Sequence, residues 1–289
     1  MRFLQTLPGS LAVLLLACGG TVGATVDHDA GVPGVDSGAR GGPDAGGATD
    51  AGGGPLLGTL VVNTRTSPLN ETFVAMLFPS SPAAAVCPGA SATAGACCLF
   101  PPVVEGGQLT DDGGTGTGTP SFGESAGVLT LRDDTSGASI GTYDFGSRGY
   151  QVPADLTPPP WQPGDSLTVS ATGAQIGAFT VSAPALPPPT MQFPSSIATT
   201  EALHVTWQPD PNADTMTVQV LYASEVIVCT VRDSDGAVTV DPSLLSTFHS
   251  GLTTELAAYR EADRYAQTPK GRVELSSFAY SATSQAPVK

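Results

Sequence analysis

The chain has 289 residues, of which only 13% are charged, and 26 acidic against 11 basic side chains give a formal net charge of −15. That balance argues against nucleic acid and anionic lipid headgroups as partners, because both are met by clustered Lys and Arg. With 35 glycines, 26 prolines and 6% aromatic residues, the composition suits many short strands joined by turns better than long helices.

The N-terminus reads as an export signal. Arg2 supplies a positive start, Leu11 to Ala17 is an unbroken apolar run of seven residues, and Cys18 follows. Seven residues fall far short of the roughly 20 that a spanning helix needs, so the segment is expected to be a signal peptide covering residues 1–17. Leu15-Leu16-Ala17-Cys18 resembles a bacterial lipobox. The resemblance implies cleavage after Ala17 and a diacylglyceryl group on the Cys18 sulfur. Each buried acyl CH₂ adds about 0.8 kcal/mol, so several chains on one cysteine anchor a protein stably. Gly19 stands where an Asp would favour the inner membrane, so the resemblance points to the outer membrane, on its periplasmic or cell-surface side.

Residues 18–57 are expected to be the lipidated cysteine and a disordered linker. Asp29-Ala30-Gly31, Asp44-Ala45-Gly46 and Asp50-Ala51-Gly52 repeat one unit among further Gly, Pro and Ala, and no aromatic residue interrupts them. Such a stretch cannot offset the entropy of folding. As a Gly-rich coil it reaches roughly 35 Å. Lipobox and Asp-Ala-Gly spacer together resemble lipoproteins of the myxobacterial type, a family that offers no activity to inherit.

From residue 58 the pattern turns to alternation. Thr59–Asn63, Thr72–Phe78 and Val128–Leu131 read as strands, and the turn Trp161-Gln162-Pro163-Gly164-Asp165 feeds Ser166–Ser170. A turn at Gly173 and a strand over Ile176–Val181 complete a hairpin. Pro187-Pro188-Pro189 ends this unit, which sets a Cys-containing β domain over 58–190 and a second β domain over 191–289. In the second, Leu203, Val205 and Trp207 alternate with His204 and Thr206. Met216 to Tyr222 and Val226 to Val231 follow, then Val238-Thr239-Val240 and Val273 to Tyr280. Asp241-Pro242 is a helix start, an N-cap before Pro at the first helical position. Thr254 to Ala266 is ambiguous, helical by local propensity and strand-like by the needs of a sandwich. The Leu203-His204-Val205-Thr206-Trp207 strand and its Pro turn resemble the B strand of fibronectin type III modules. The fold class expected is all-β, one or two Ig-like antiparallel β-sandwich modules behind the linker.

Four cysteines remain beyond Cys18: Cys87, Cys97, Cys98 and Cys229, which allow three pairings. A bridge from Cys87 to Cys97 or Cys98 would pin a Gly/Ala/Ser-rich loop. The leftover cysteine either meets Cys229 or stays buried. Neighbouring cysteines seldom bond each other, and no spacing here suits zinc.

Gly123-Glu124-Ser125-Ala126-Gly127 matches the G-x-S-x-G of serine hydrolases. That chemistry needs the serine on a tight turn between a buried strand and a helix. Here a Gly/Asp/Thr loop precedes the motif and an alternating strand follows it, so Ser125 is expected to open a strand. His204 and His249 stand in triad order on unrelated elements, and His28 lies in the linker. Asp210, Asn212 and Asp214 alternate like calcium ligands, with Asp233 and Asp235 on another turn, yet Asp and Asn are also ordinary turn formers. Pro and Gly density argues against a membrane barrel. The expectation is therefore a lipid-anchored envelope protein that is not an enzyme, without metal or cofactor. Its partners would be glycans or envelope proteins met through loops 79–125 and 208–214, with Trp161 weighed as a stacking platform but expected to pack over the sandwich edge. The runner-up is a secreted hydrolase built on Ser125.

Overall fold

The computed structural model describes residues 55–64, 72–76, 87, 90–101, 124–146, 149–150, 160–223 and 225–289. Ala17, Cys18, His28 and most of the linker and of loop 79–125 lie outside them. In chain order the strands are β1 (Leu56–Thr64), β2 (Thr72–Met76), β3 (Ala92–Ala94), β4 (Cys97–Phe100), β5 (Leu129–Asp133) and β6 (Ser139–Tyr143). There follow β7 (Phe145–Gly146), β8 (Gly149–Tyr150), β9 (Ser166–Ala171), β10 (Phe179–Pro184), β11 (Met191–Gln192) and β12 (Leu203–Trp207). The last are β13 (Thr215–Tyr222), β14 (Glu225–Arg232), β15 (Ala237–Val240), β16 (Thr253–Thr268), β17 (Gly271–Tyr280) and β18 (Ser284–Pro287). A single short helix, α1 (Pro242–Leu245), interrupts them. It starts where Asp241 caps it, the carboxylate accepting from the Ser243 N–H at 2.8 Å. The protein is all-β.

One large sheet backs two small ones. The nine-stranded sheet runs β2-β1-β17-β16-β13-β14-β4-β3, and β18 pairs with β16 on the edge that β17 also uses. Against one end of it packs the four-stranded sheet β10-β9-β5-β6. Leu129, Leu131, Leu167, Val169 and Val181 from that layer meet Leu60, Val62, Val273 and Leu275 from the large sheet. Against the other end packs the sheet β11-β12-β15, whose Leu203, Val205, Trp207 and Val240 meet Met216, Val218, Ile227 and Leu256. Strict alternation in β12 and β5 thus did what period-2 patterning does, turning every second side chain into a core.

Several local expectations shift. The ambiguous stretch is a strand of 16 residues, the longest among the described elements and the one that serves both cores. Its core-facing positions are Leu256, Ala258, Ala262 and Ala266. Ile176 is a buried loop residue, and β10 starts three residues later at Phe179. Trp161 is 1% exposed within the first core, so of its two readings it is the packed one that holds and not the stacking platform. Strands from both sides of residue 190 share the large sheet, so a cut there separates the small sheets and not the large one.

Two disulfides cross this frame, Cys87–Cys98 and Cys97–Cys229. Cys97 and Cys98 are successive on β4 and so point to opposite sides of the sheet. Cys97 and Cys229 lie in the second core, and the register pairs them directly across β4 and β14.

Candidate functional site

The Ser125 motif is a turn fastener. Ser125 donates its N–H to the Gln175 side-chain oxygen at 2.9 Å, and its Oγ accepts from the Gly127 N–H at 3.1 Å. The Ala126 N–H donates to the Tyr150 hydroxyl at 2.9 Å, and that hydroxyl donates onward to the Gly127 carbonyl at 2.7 Å. In an acyl-transfer site the N–H after the nucleophile points at the oxyanion. Here that N–H is buried and already bonded. His204 Nδ1 sits 2.9 Å from the Thr239 hydroxyl, and the His249 N–H donates to Tyr222 OH, both in the second half of the molecule. The three residues of the hydrolase reading are not brought together. Tyr150→Phe removes the bonds of the hydroxyl to Ala126 and Gly127 and orphans the buried Ala126 N–H. A loss of about 1–3 kcal/mol is expected in urea unfolding, whereas Ser125→Ala, which leaves the Tyr150 bonds to Ala126 and Gly127 in place, should change stability less.

The Asp210 loop is held by arginines. Arg260 Nη1 lies 3.4 Å from Asp210 and Arg264 Nη1 2.6 Å from Asp214, while the Arg264 Nη2 donates to the Asn212 carbonyl at 3.2 Å. The carboxylates weighed as calcium ligands thus face guanidinium groups. Among the described residues no group of three His, Cys, Asp or Glu has a metal-holding arrangement. Asp235 is exposed, and Asp233 turns inward. Loop 208–214 is accordingly tied down by two cations from β16.

The sequence missed a different cluster. In β16 the residues Tyr259, Glu261, Asp263 and Tyr265 alternate with the core-facing alanines and Arg260, and Glu274, Ser276, Phe278 and Tyr280 do the same in β17. Both rows lie on the side of the large sheet turned away from the cores. Glu274 accepts from the Thr59 hydroxyl and from the Tyr265 hydroxyl, each at 2.7 Å. Asp263 accepts from the Ser276 hydroxyl at 2.7 Å, and Glu261 from Thr215 at 3.4 Å. Beside this array the rings of Tyr259, Phe278 and Tyr280 form a cluster, with centroids 5.3 and 5.7 Å from Tyr259. Arg272 covers the Tyr265 ring at 4.9 Å. The signal was present as the alternation over 259–265, hidden by the helical propensity of the Glu and Ala residues around it.

Three half-buried carboxylates on one face repel one another. Burial raises Asp263 to about 6, with the charges of Glu274 and Asp214 adding and the Ser276 hydrogen bond opposing. Burial first, then the Asp263 and Glu274 charges, push Glu261 well above the usual range. Burial and its bond to Glu274 keep the Tyr265 hydroxyl protonated. Raised carboxyls make the folded chain hold more protons than the unfolded one. Their stability contribution is complete below the unfolded carboxylate range and is lost as pH rises through about 6. The expected result is a loss of about 1–3 kcal/mol between pH 5 and pH 8, followed by thermal unfolding. Glu261→Gln should flatten that slope, and a stability that climbs from pH 5 to pH 8 would contradict the assignment.

No known family profile matches the sequence, and no curated protein matches it. Among solved structures the chain is similar to the FN1–FN3 domains of chicken CNTN1, at 10% identity and a TM-score of 0.24, over 82% of this chain and 66% of that one. It is also similar to a tetra-tandem repeat in the extending region of a large adhesion protein, at 18% identity and a TM-score of 0.19, over 55% of this chain and 41% of that one. The chain spans less than two thirds of either structure.

Proposed function

We propose that the protein is a lipid-tethered, non-catalytic binding module of the outer membrane or cell surface, anchored through Cys18, which presents the β16–β17 face to a glycan. The observation that carries the ligand class is the array on that face: carboxylates and hydroxyls of Glu274, Asp263, Thr59 and Tyr265, with the buried Ser276 hydroxyl behind Asp263, beside the Tyr259–Phe278–Tyr280 rings. Sugar hydroxyls are met by carboxylate acceptors, and the apolar faces of sugar rings are met by aromatic side chains. The acidic surface, with net charge −15, disfavours the phosphate groups of nucleic acids.

Two measurements test this reading. Mass analysis of the exported chain should find the acyl mass on Cys18, and Cys18→Ser should release the protein from membranes. Unchanged membrane association of Cys18→Ser removes the anchor. On a glycan array the full chain should bind, and Glu274→Gln and Phe278→Ala should abolish binding while circular dichroism shows the β fold kept. A blank array, or binding untouched by both variants, removes the ligand class. Ester hydrolysis that disappears in Ser125→Ala would overturn the non-catalytic reading.

A further inference from the structure

We propose that the large sheet is built to carry tension from the tether to the β16–β17 face, through a β1–β17 pairing that is loaded in shear. The inference rests on the tethered reading above. β1 begins at Leu56, inside the last two residues of the expected spacer, and it lies between two partners, antiparallel to β2 and parallel to β17. The parallel register runs from Leu56 opposite Arg272 to Thr64 opposite Ala279. β17 and β18 both run antiparallel to β16, one after the other along its edge, so β1, β17 and β18 all point the same way.

This places the two ends of the described chain at opposite ends of β16. Leu56 lies beside the β16–β17 turn, whereas Pro287 is opposite Thr253, at the start of β16. The 16 residues of that strand span roughly 50 Å. A pull on the spacer therefore acts along the axis of β1, against a β17 whose chain leads off toward the other end. All the hydrogen bonds of β1 with its neighbours strain together, and none can be opened ahead of the rest. The side chains resist the same sliding. Leu60 and Val62 are buried in the first core, Thr59 is bonded to Glu274, and the Arg272 N–H donates to the Pro55 carbonyl at 3.0 Å, where the tether joins. Tension thus passes from residue 55 into the strand that bears Glu274, Ser276 and Phe278, without crossing either small sheet. β18 is short, and its release would only pass the pull to β17.

Pulling direction tests the inference within one molecule. The full chain is stretched by handles on its two termini, and in a second preparation by handles on the N-terminus and on residue 270, in the exposed β16–β17 turn. The second geometry takes hold of β1 and β17 at the same end and unzips them bond by bond. The main rupture force is expected to be several-fold higher between the termini than between the N-terminus and residue 270. Equal forces, or a lower force between the termini, overturn the shear assignment. That outcome would leave Cys18 acylation untouched, and a chain without acyl group would leave the force ratio untouched, so the two readings fail separately.

Discussion

Replacing Cys97 and Cys229 together with alanine is expected to lower the stability of the folded chain by about 5 kcal/mol. The bridge closes a loop of 132 residues, and closing a loop that long removes much of the freedom of the unfolded chain. It also joins β4 to β14, directly across their register and inside the second core, where the two cysteines are 1% and 0% exposed. The outer bridge, Cys87–Cys98, spans only 11 residues, so removing it is expected to cost about 3 kcal/mol. Domains of ordinary stability hold about 5–15 kcal/mol, so the inner loss alone can leave the chain near its folding threshold. Urea unfolding of both double variants, without reductant, measures the two losses. An inner variant no less stable than the outer one contradicts the assignment. Fully stretched, the variant without the inner bridge should also be longer by about 450 Å, since 132 residues are freed at about 3.4 Å each.

The parts that sequence made legible are those in which neighbouring residues answer to one layer. Leu203, Val205 and Trp207 alternate because β12 has a core on one side and solvent on the other, and the structure buries all three. The Asp241-Pro242 helix start is equally local. β16 was illegible for a physical reason: where the large sheet passes close under β10, its core-facing residues are Ala262 and Ala266, packed with Leu186 and the first core. Small residues in that role carry no β signal, and Glu and Ala favour helix when nothing else decides. Tertiary packing decides here. The β1–β17 pairing was hidden for another reason. Thr59 and Glu274 are 215 residues apart, and no local pattern announces a parallel neighbour at that distance. β4 escaped because Cys97 and Cys98 are both buried, one toward each side of the sheet, so alternation is lost. The acid–aromatic face followed from those two gaps, since it exists only once β16 is a strand and β17 lies beside it.

Arg260→Met is expected to destabilise the protein by about 3–5 kcal/mol, because it strands a buried carboxylate. Asp233 is fully buried and Arg260 is 4% exposed, and their charged atoms face each other at 3.5 Å, an ion pair too long for a hydrogen bond. Arg260 also reaches Asp210 at 3.4 Å and donates to the Gln208 carbonyl at 2.9 Å. Asp233 in turn accepts from the Asp210 N–H at 2.6 Å, and its carbonyl accepts from the Trp207 indole at 2.8 Å. One guanidinium from β16 thus ties the turn after β12 to the turn after β14. Burial already raises the Asp233 carboxyl, against the Asp210 N–H and the Arg260 charge. Without Arg260 it rises further, so the folded variant holds its proton to higher pH. The deficit of Arg260→Met should therefore be smallest in acid and grow as pH rises through the folded value. Adding Asp233→Asn removes the stranded charge, and the double variant should recover part of the loss at pH 8 and little at pH 5. Urea unfolding of the two variants at both pH values decides it. A single variant within about 1 kcal/mol of the parent would mean that the triad behaves like a surface pair, and that the two turns are held by the Trp207 and Asp210 hydrogen bonds alone.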